Sequence, residues 1–474
     1  MGFKRIMRSS AAGLCLLTAV TTYATNAIAQ VVDPGVRRAT ADNTTPEPLP
    51  GLGSDELSFF EDGLVRFDTI EVVTGGAATQ GNGLGPRFNS NQCASCHLQP
   101  NVGGSSPAAN PLIAVANADG AANTIPWFIA ADGPVREARF VRSNGVYDGG
   151  VHNLFVITGR ADAGSCNIAQ PNFGSAGDPL TGRGGNSNVV FRIPTPIFGA
   201  GLIEAIPDSA ILANMYANTG QKSQAGVRGR ANSIQGGNAN LSANDGTITR
   251  FGWKAQNKSL LMFAGEAYNV EMGISNQLFP QERDETPGCQ GGYSTPNDTN
   301  NFPLTPTAYP ATAVLSDIEA FADFMRMLAP PTPATATAST INGRTQFVAV
   351  GCALCHTPSF TTGAAAATGS STRPSPALSG KAVNLYSDLL VHHMGQGLAD
   401  GLSQGAAGPD EFRTAPLWGV GQRVFFMHDG RTSNLLVAIQ AHSSPGSEAN
   451  VVIQQFESLS AAQQQDILDF LRSL

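Results

Sequence analysis

The sequence predicts a mainly α-helical, loop-rich protein of two lobes with few short strands, and three observations carry that expectation. Gly (53) and Pro (30) are plentiful while charged residues make up only 14%, which suits long irregular connections around a buried core. Apolar residues recur at helical spacing over 54–73, 314–328 and 460–474. A Pro-rich stretch, "APPTPATATAST" at 329–340, separates the last third of the chain from the rest and reads as a linker.

Taken in order, the chain opens with Lys4, Arg5 and Arg8 before the apolar run "AAGLCLLTAV", and Ala27-x-Ala29 stands before Gln30. That order is a secretory signal peptide over 1–29. The apolar run is shorter than the ~20 residues of a membrane span, so export to the periplasm is expected, with no membrane anchor after cleavage. Residues 30–53, rich in Pro, Thr and Gly, read as a flexible leader. An N-terminal lobe is expected over 54–328. It starts with a helix in "SDELSFFEDGLVRFDTIEVV", for which Ser54 and Asp55 are capping candidates. Turn-rich sequence with short β-like runs such as "NVVFRI" follows, and the helical "VLSDIEAFADFMRML" closes the lobe. Beyond the linker, 341–474 is expected to form a second lobe running from "INGRTQFVAVGCALCH" to the amphipathic "SAAQQQDILDFLRSL". The net charge of −8, with no basic run, excludes a general nucleic-acid surface.

The two lobes share one motif. "NQCASCHLQP" (91–100) and "AVGCALCHTP" (349–358) each carry Cys-x-x-Cys-His. Two thiols three positions apart can both form thioethers to the vinyl groups of a haem, and the next residue then reaches its iron. Zinc explains the cysteine pairs but not a histidine directly after both, and thiol–disulfide exchange fails on the same residue. Two covalently bound c-type haems are therefore expected. Cys93 and Cys96 hold one and Cys352 and Cys355 the other, with His97 and His356 as proximal ligands. Each lobe is then cytochrome c-like.

Of the seven cysteines, Cys15 leaves with the signal, so Cys166 and Cys289 remain. In an oxidising compartment they are expected to pair as a disulfide, the alternative being two free buried thiols. Alkylation of the mature protein without reductant should add no label by intact mass, and two added labels would overturn the pairing.

The sixth iron ligands decide the chemistry, because iron closed on both faces carries electrons while an open face binds peroxide or oxygen. The remaining histidines are His152, His392, His393, His428 and His442, most of which ordinary packing or surface roles would explain. Met272 and Met394 could also bind iron, although buried methionines are more often packing. A faint repeat aligns "FGWKAQNKSLLMFAGEA" (251–267) with "FMHDGRTSNLLVAIQAH" (426–442), so that Trp253 corresponds to His428.

The segment "APLWGVGQRVFFMHDGRTSNLLVAI" resembles the late part of the bacterial di-haem cytochrome c peroxidase superfamily. "FRIPTPIFGAGLIEAIPD", "RFGWKA" and "YSDLLVHHMG" resemble its di-haem oxidoreductase branch, whose members are labelled peroxidase or thiol oxidoreductase. The likeness spans roughly 50–474. It implies Glu271, in "YNVEMG", as the distal acid over the first haem. Trp253 falls near the tryptophan that members place between the haems, with slightly shorter spacing to the acid. In those relatives the second haem's sixth ligand, Met or Tyr, lies fourteen positions after the residue aligned with His428; here His442 stands there, which implies a bis-His haem. No counterpart of the loop histidine that caps the first haem in resting peroxidases is present. Thr414 and Pro416 match a segment whose carbonyls help hold an inter-haem calcium ion, although its partner Asn has no counterpart. The expected function is peroxide reduction at the N-terminal haem, with electrons relayed from a small cytochrome or cupredoxin through the C-terminal haem. The alternatives are an oxygen-activating enzyme, like the related latex-cleaving dioxygenases, and a pure electron-transfer cytochrome.

Overall fold

A computed structural model describes residues 1–2, 30–38, 45–71, 83–85, 87–118, 125–143, 146–156, 170–173, 188–233, 248–281, 298, 315–364 and 375–474. Residues 3–29 of the signal-peptide segment and the cysteines at 15, 166 and 289 lie outside them. Helices and loops dominate, with short antiparallel strands between. No helix among the described residues is long and apolar enough to cross a membrane.

In the N-terminal lobe, α1 (Ser54–Phe67) starts where the Glu56 carboxylate accepts the Gly53 amide at 2.9 Å. It packs where Phe60 and Phe67 meet Phe324, at ring separations of 5.4 and 5.1 Å. The close approach needs Gly63, since a Cβ there would lie 2.4 Å from the Ala320 carbonyl. A three-stranded antiparallel sheet has β1 (Glu137–Phe140) at its centre, flanked by β2 (Val151–His152) and β3 (Val189–Arg192). The third of these is the "NVVFRI" run. The next long helix, α2 (Leu260–Met272), is capped by the Ser259 side chain on the Met262 amide and ends at Gly273, whose φ of +71° suits glycine. The partner of α1 is α3 (Asp317–Met327), opened by a Ser316–Glu319 capping box.

The C-terminal lobe is built on α4 (Ala338–Ala349) and α6 (Ala461–Ser473), with α5 (Leu435–Gln440) between them in sequence. Helices α4 and α6 cross at Gly343, where a Cβ would fall 1.9 Å from the Asp466 carbonyl. This crossing aims the end of α4 into the second Cys-x-x-Cys-His turn.

Three expectations are corrected here. The described part of the leader is docked rather than flexible. Asp33 accepts both Nε and Nη2 of Arg472 at 2.7 Å and the Leu435 amide at 2.6 Å, and Val31 packs on the second core. Leu49 donates to the Met327 carbonyl at 2.7 Å. A composition read without its partners does not reveal such a buried ion pair. The linker is also shorter than 329–340, because Thr337 caps α4 and helix begins at Ala338. Finally, the lobes are not divided cleanly along the chain. The first core takes in Phe360, Leu378, Leu385, Leu389, Leu390 and Trp418 from beyond the linker.

The repeat is real in the backbone. Phe251 bridges Asn257 and Phe426 bridges Thr432, six residues on in each case. Left-handed φ values fall at equivalent positions, Gly252 (+83°) with Met427 (+66°) and Ala255 (+51°) with Gly430 (+68°). Each loop ends in a helix capped by a side-chain oxygen three residues back, Ser259 in one and Asn434 in the other.

Candidate active site

Cys93 and Cys96 lie on one helical turn, and His97 ends it. The loop then folds back so that the His97 Nδ1–H donates to the Gly104 carbonyl at 3.0 Å. A carbonyl can only accept, so this fixes the proton on Nδ1 and leaves the Nε2 lone pair available. Phe67 meets the imidazole edge-on at 6.0 Å. In the second motif His356 donates its Nδ1–H to the Tyr386 carbonyl, again at 3.0 Å. Burial pushes both imidazoles down to about 4, so both are neutral, which is the ligating form. Burial likewise pushes the Cys96 thiol up to about 11 and Cys352 up to about 12. Thiols so raised are unlike those of thiol–disulfide exchange, which depends on a depressed pKa.

Each motif opens into its own cavity. The first is lined by Cys93, Cys96 and His97 together with Glu137, Arg139 and Glu271. The second is lined by Cys352, Cys355, His356 and His442 among largely apolar side chains. Each sets the residues that would hold a macrocycle around one apolar space. The second adds a further sign of fit. Arg413 and Arg423 line it, both buried, and Arg413 Nε with Arg423 Nε and Nη2 lack a hydrogen-bond partner among the described residues. Burial pushes both guanidinium groups down to about 10, Arg423 adding to the effect at Arg413. Unpaired buried cations call for anionic oxygen, and the carboxylates of a haem would supply it.

The structure places the sequence-derived candidates as follows. Glu271, in the last turn of α2, reaches the first cavity and accepts the Asn89 amide nitrogen at 2.7 Å. Trp253 lines both cavities. Its indole N–H donates to the Ile193 carbonyl at 2.9 Å, and its ring meets its repeat counterpart His428 at 6.4 Å. His442 follows α5 and donates Nδ1–H to the Ala438 carbonyl at 2.8 Å, as His97 and His356 do to theirs. The other histidines have packing or pairing roles. His392 is held at both ring nitrogens by Asp388 (3.0 Å) and Glu448 (2.9 Å), and His428 stacks on Phe412. His152 pairs with Asp148 at 2.8 Å, and exposed His393 with Asp410 at 3.0 Å. Met272 belongs to the first core and also lines the first cavity, and Met394 lines the second.

The calcium reading finds no matching donor set. The Thr414 carbonyl already accepts the Ser387 hydroxyl at 2.5 Å. The pocket beside Pro416 contains Arg413 and Arg423 and, among the described residues, no carboxylate, whereas calcium takes six to eight oxygens. Sequence reasoning missed Glu137, Asn89 and the two unpaired arginines. The alternation "REARF" at 136–140, three charges in a charge-poor chain, was the available signal for the first of these.

The family model described as "Di-haem oxidoreductase, putative peroxidase" matches residues 177–474. No curated protein matches. Similar solved structures include a diheme peroxidase, BthA, from Burkholderia thailandensis (16% identity, 63% of this chain and 88% of that one, TM-score 0.27). A MauG-like protein associated with microbial copper homeostasis matches at 16% identity over 59% of this chain and 90% of its own, TM-score 0.26. Hydrazine synthase of Kuenenia stuttgartiensis matches at 18% identity over 33% of this chain, TM-score 0.22, and the match spans 55% of that chain.

Proposed function

This chain belongs to the di-haem oxidoreductase family, and from that premise we propose that it reduces peroxide at its N-terminal haem with electrons passed through its C-terminal haem. One observation carries the reading: the two cavities are built for different work. The second sets His442 beside the cavity that His356 lines, so imidazoles can take both faces of an iron. The first has, among its described lining, no imidazole besides His97 and has the Glu271 carboxyl instead.

When bound, haem supplies an iron that takes up an oxygen of the substrate and passes it electrons. The chain supplies position and protons. Reduction of hydrogen peroxide to two waters consumes two electrons and two protons. The electrons come from a small one-electron donor, a cytochrome or cupredoxin. Burial, then the negative charge of Glu137, pushes Glu271 up to about 8, so at neutral pH its carboxyl carries a proton to give to the departing oxygen. Trp253, held between the cavities by Ile193, places an indole in the gap that electrons must cross. Thioether attachment at the four motif cysteines and a periplasmic location complete the reading, the latter resting on the basic, apolar and small-residue order of residues 1–29.

Resting-state EPR with and without peroxide is the test. One high-spin and one low-spin ferric haem are expected, with the high-spin signal lost when peroxide is added. Two low-spin haems inert to peroxide would make the protein an electron carrier. A reduced protein that binds oxygen stably and ignores peroxide would make it an oxygen-activating enzyme.

A further inference from the structure

Glu137 sits at the centre of the first cavity's polar wall without any role so far. Its backbone is fixed in β1, paired with Arg192 of β3, while the neighbouring residues Ala138 and Arg139 pair with β2. Glu137 and Arg139 point to the same face of the strand, two residues apart, and form an ion pair. The Glu137 carboxyl also hydrogen-bonds that of Glu271 across the cavity. Two carboxyls in hydrogen-bond contact must share a proton, because both cannot be ionised at that distance.

A second cavity makes the pair more than a local contact. An open pocket lies behind this wall, and Arg139, Glu266 and Val270 line both it and the haem cavity. The polar side chains Arg139 and Glu266 therefore form the partition between solvent and the Glu137–Glu271 pair. Although burial works against it, Glu137, Glu266 and Glu271 together keep Arg139 charged, so the partition stays polar.

We propose that Glu137 is a proton-relay residue, taking protons that arrive through the partition of Arg139 and Glu266 and passing them to the Glu271 carboxyl. The inference rests on the reading of Glu271 as the acid and assigns it a supply. Each peroxide needs two protons for two waters, and Glu271 alone holds one. When Glu271 gives its proton to the departing oxygen, the ionised Glu137 takes up a proton arriving from the open pocket and passes it to Glu271, which restores the one-proton pair. The charged and titratable groups facing Glu271 are Glu137 and Arg139 from β1 and Cys93 and Cys96 from the motif turn. Arg136 and Arg192 line the same cavity, and Asn89 donates as a neutral group.

The test compares E137Q, E137D and E271Q holoenzymes reacting with hydrogen peroxide, in a first turnover and at steady state, across pH. In E137Q the first step with peroxide, which sends one proton to the departing oxygen, should keep its rate because Glu271 still carries that proton, while steady-state turnover falls roughly tenfold or more. The alkaline limb of the pH profile should move to lower pH, since glutamine removes the negative charge that holds the proton on Glu271. E137D should restore part of the turnover. Wild-type turnover and limb in E137Q, with E271Q inactive, would overturn the relay and leave Glu271 as the acid. Wild-type behaviour in both would remove Glu271 as well. Loss of the first turnover in E137Q without rescue in E137D would make Glu137 structural and also overturn the relay. If E137Q fails to load haem, the limb and turnover of E137D decide, and wild-type values there count against it.

Discussion

Glu271→Gln slows the first reaction with peroxide by about 100- to 10,000-fold, the usual contribution of a general acid–base group, and leaves both haem spectra and potentials nearly unchanged. Stopped-flow absorbance after mixing with peroxide measures it. Glutamine keeps the size of Glu271 and can still accept from Asn89, 2.7 Å away, but has no proton to give. The pH dependence has a definite sign. The folded protein raises this carboxyl from its ordinary 4.5 to about 8, through burial first and the charge of Glu137 next. Reactivity that needs the protonated form is therefore full at neutral pH and lost as pH rises through about 8. The same shift bears on stability. The group's contribution is present below 4.5 and is lost as pH rises through about 8, because the unfolded chain releases the proton more easily. E271Q escapes that loss, so denaturant unfolding should show it gaining on the wild type at alkaline pH. A variant with unchanged peroxide kinetics would remove Glu271 from the mechanism, and one that loses a low-spin haem signal would make it structural.

What the sequence made legible follows from which features are local. Cys-x-x-Cys-His is complete within five residues, so the expectation drawn from it needs no distant partner. The loop shared by 251–259 and 426–434 could be read as well, because its left-handed positions and helix caps leave marks in order along the chain. Glu137 could not. It lies far from Glu271 in sequence, and only the fold, which sets both on the wall of one cavity, makes the two a pair. Arg413 and Arg423 were invisible for a different reason: an arginine is ordinary until burial leaves its donors unpartnered. The leader was misread because Asp33 finds Arg472 at the opposite end of the chain. Pro and Thr content describes a segment's own stiffness and says nothing about such a partner. The docked leader and the closely packed α4–α6 crossing both brace the second lobe. Its helices are held from the N-terminal end of the chain as well as from within.

His442→Ala should convert one low-spin haem to high spin and leave the other signal unchanged, read by EPR and by the visible spectrum. The geometry supports His442 over His392. Its Nδ1–H is committed to the Ala438 carbonyl, so Nε2 keeps a lone pair, and burial lowers its pKa and so keeps the ring neutral. His392 lines the same cavity but offers no such atom. Both of its nitrogens face carboxylates, Asp388 and Glu448, which favours the doubly protonated ring, and a protonated nitrogen cannot bind iron. His392→Ala should accordingly keep both haem signals while loosening the segment around Glu448. Two nitrogen donors favour ferric iron over ferrous, so H442M should raise the potential of the second haem without changing its partner. That rise would weaken the drive for electrons to move on to the first haem. The steady-state peroxide turnover of H442M should fall even though its first haem still reacts at the wild-type rate. A low-spin signal lost in H392A and retained in H442A would transfer the ligand to His392 and end the bis-His assignment through His442.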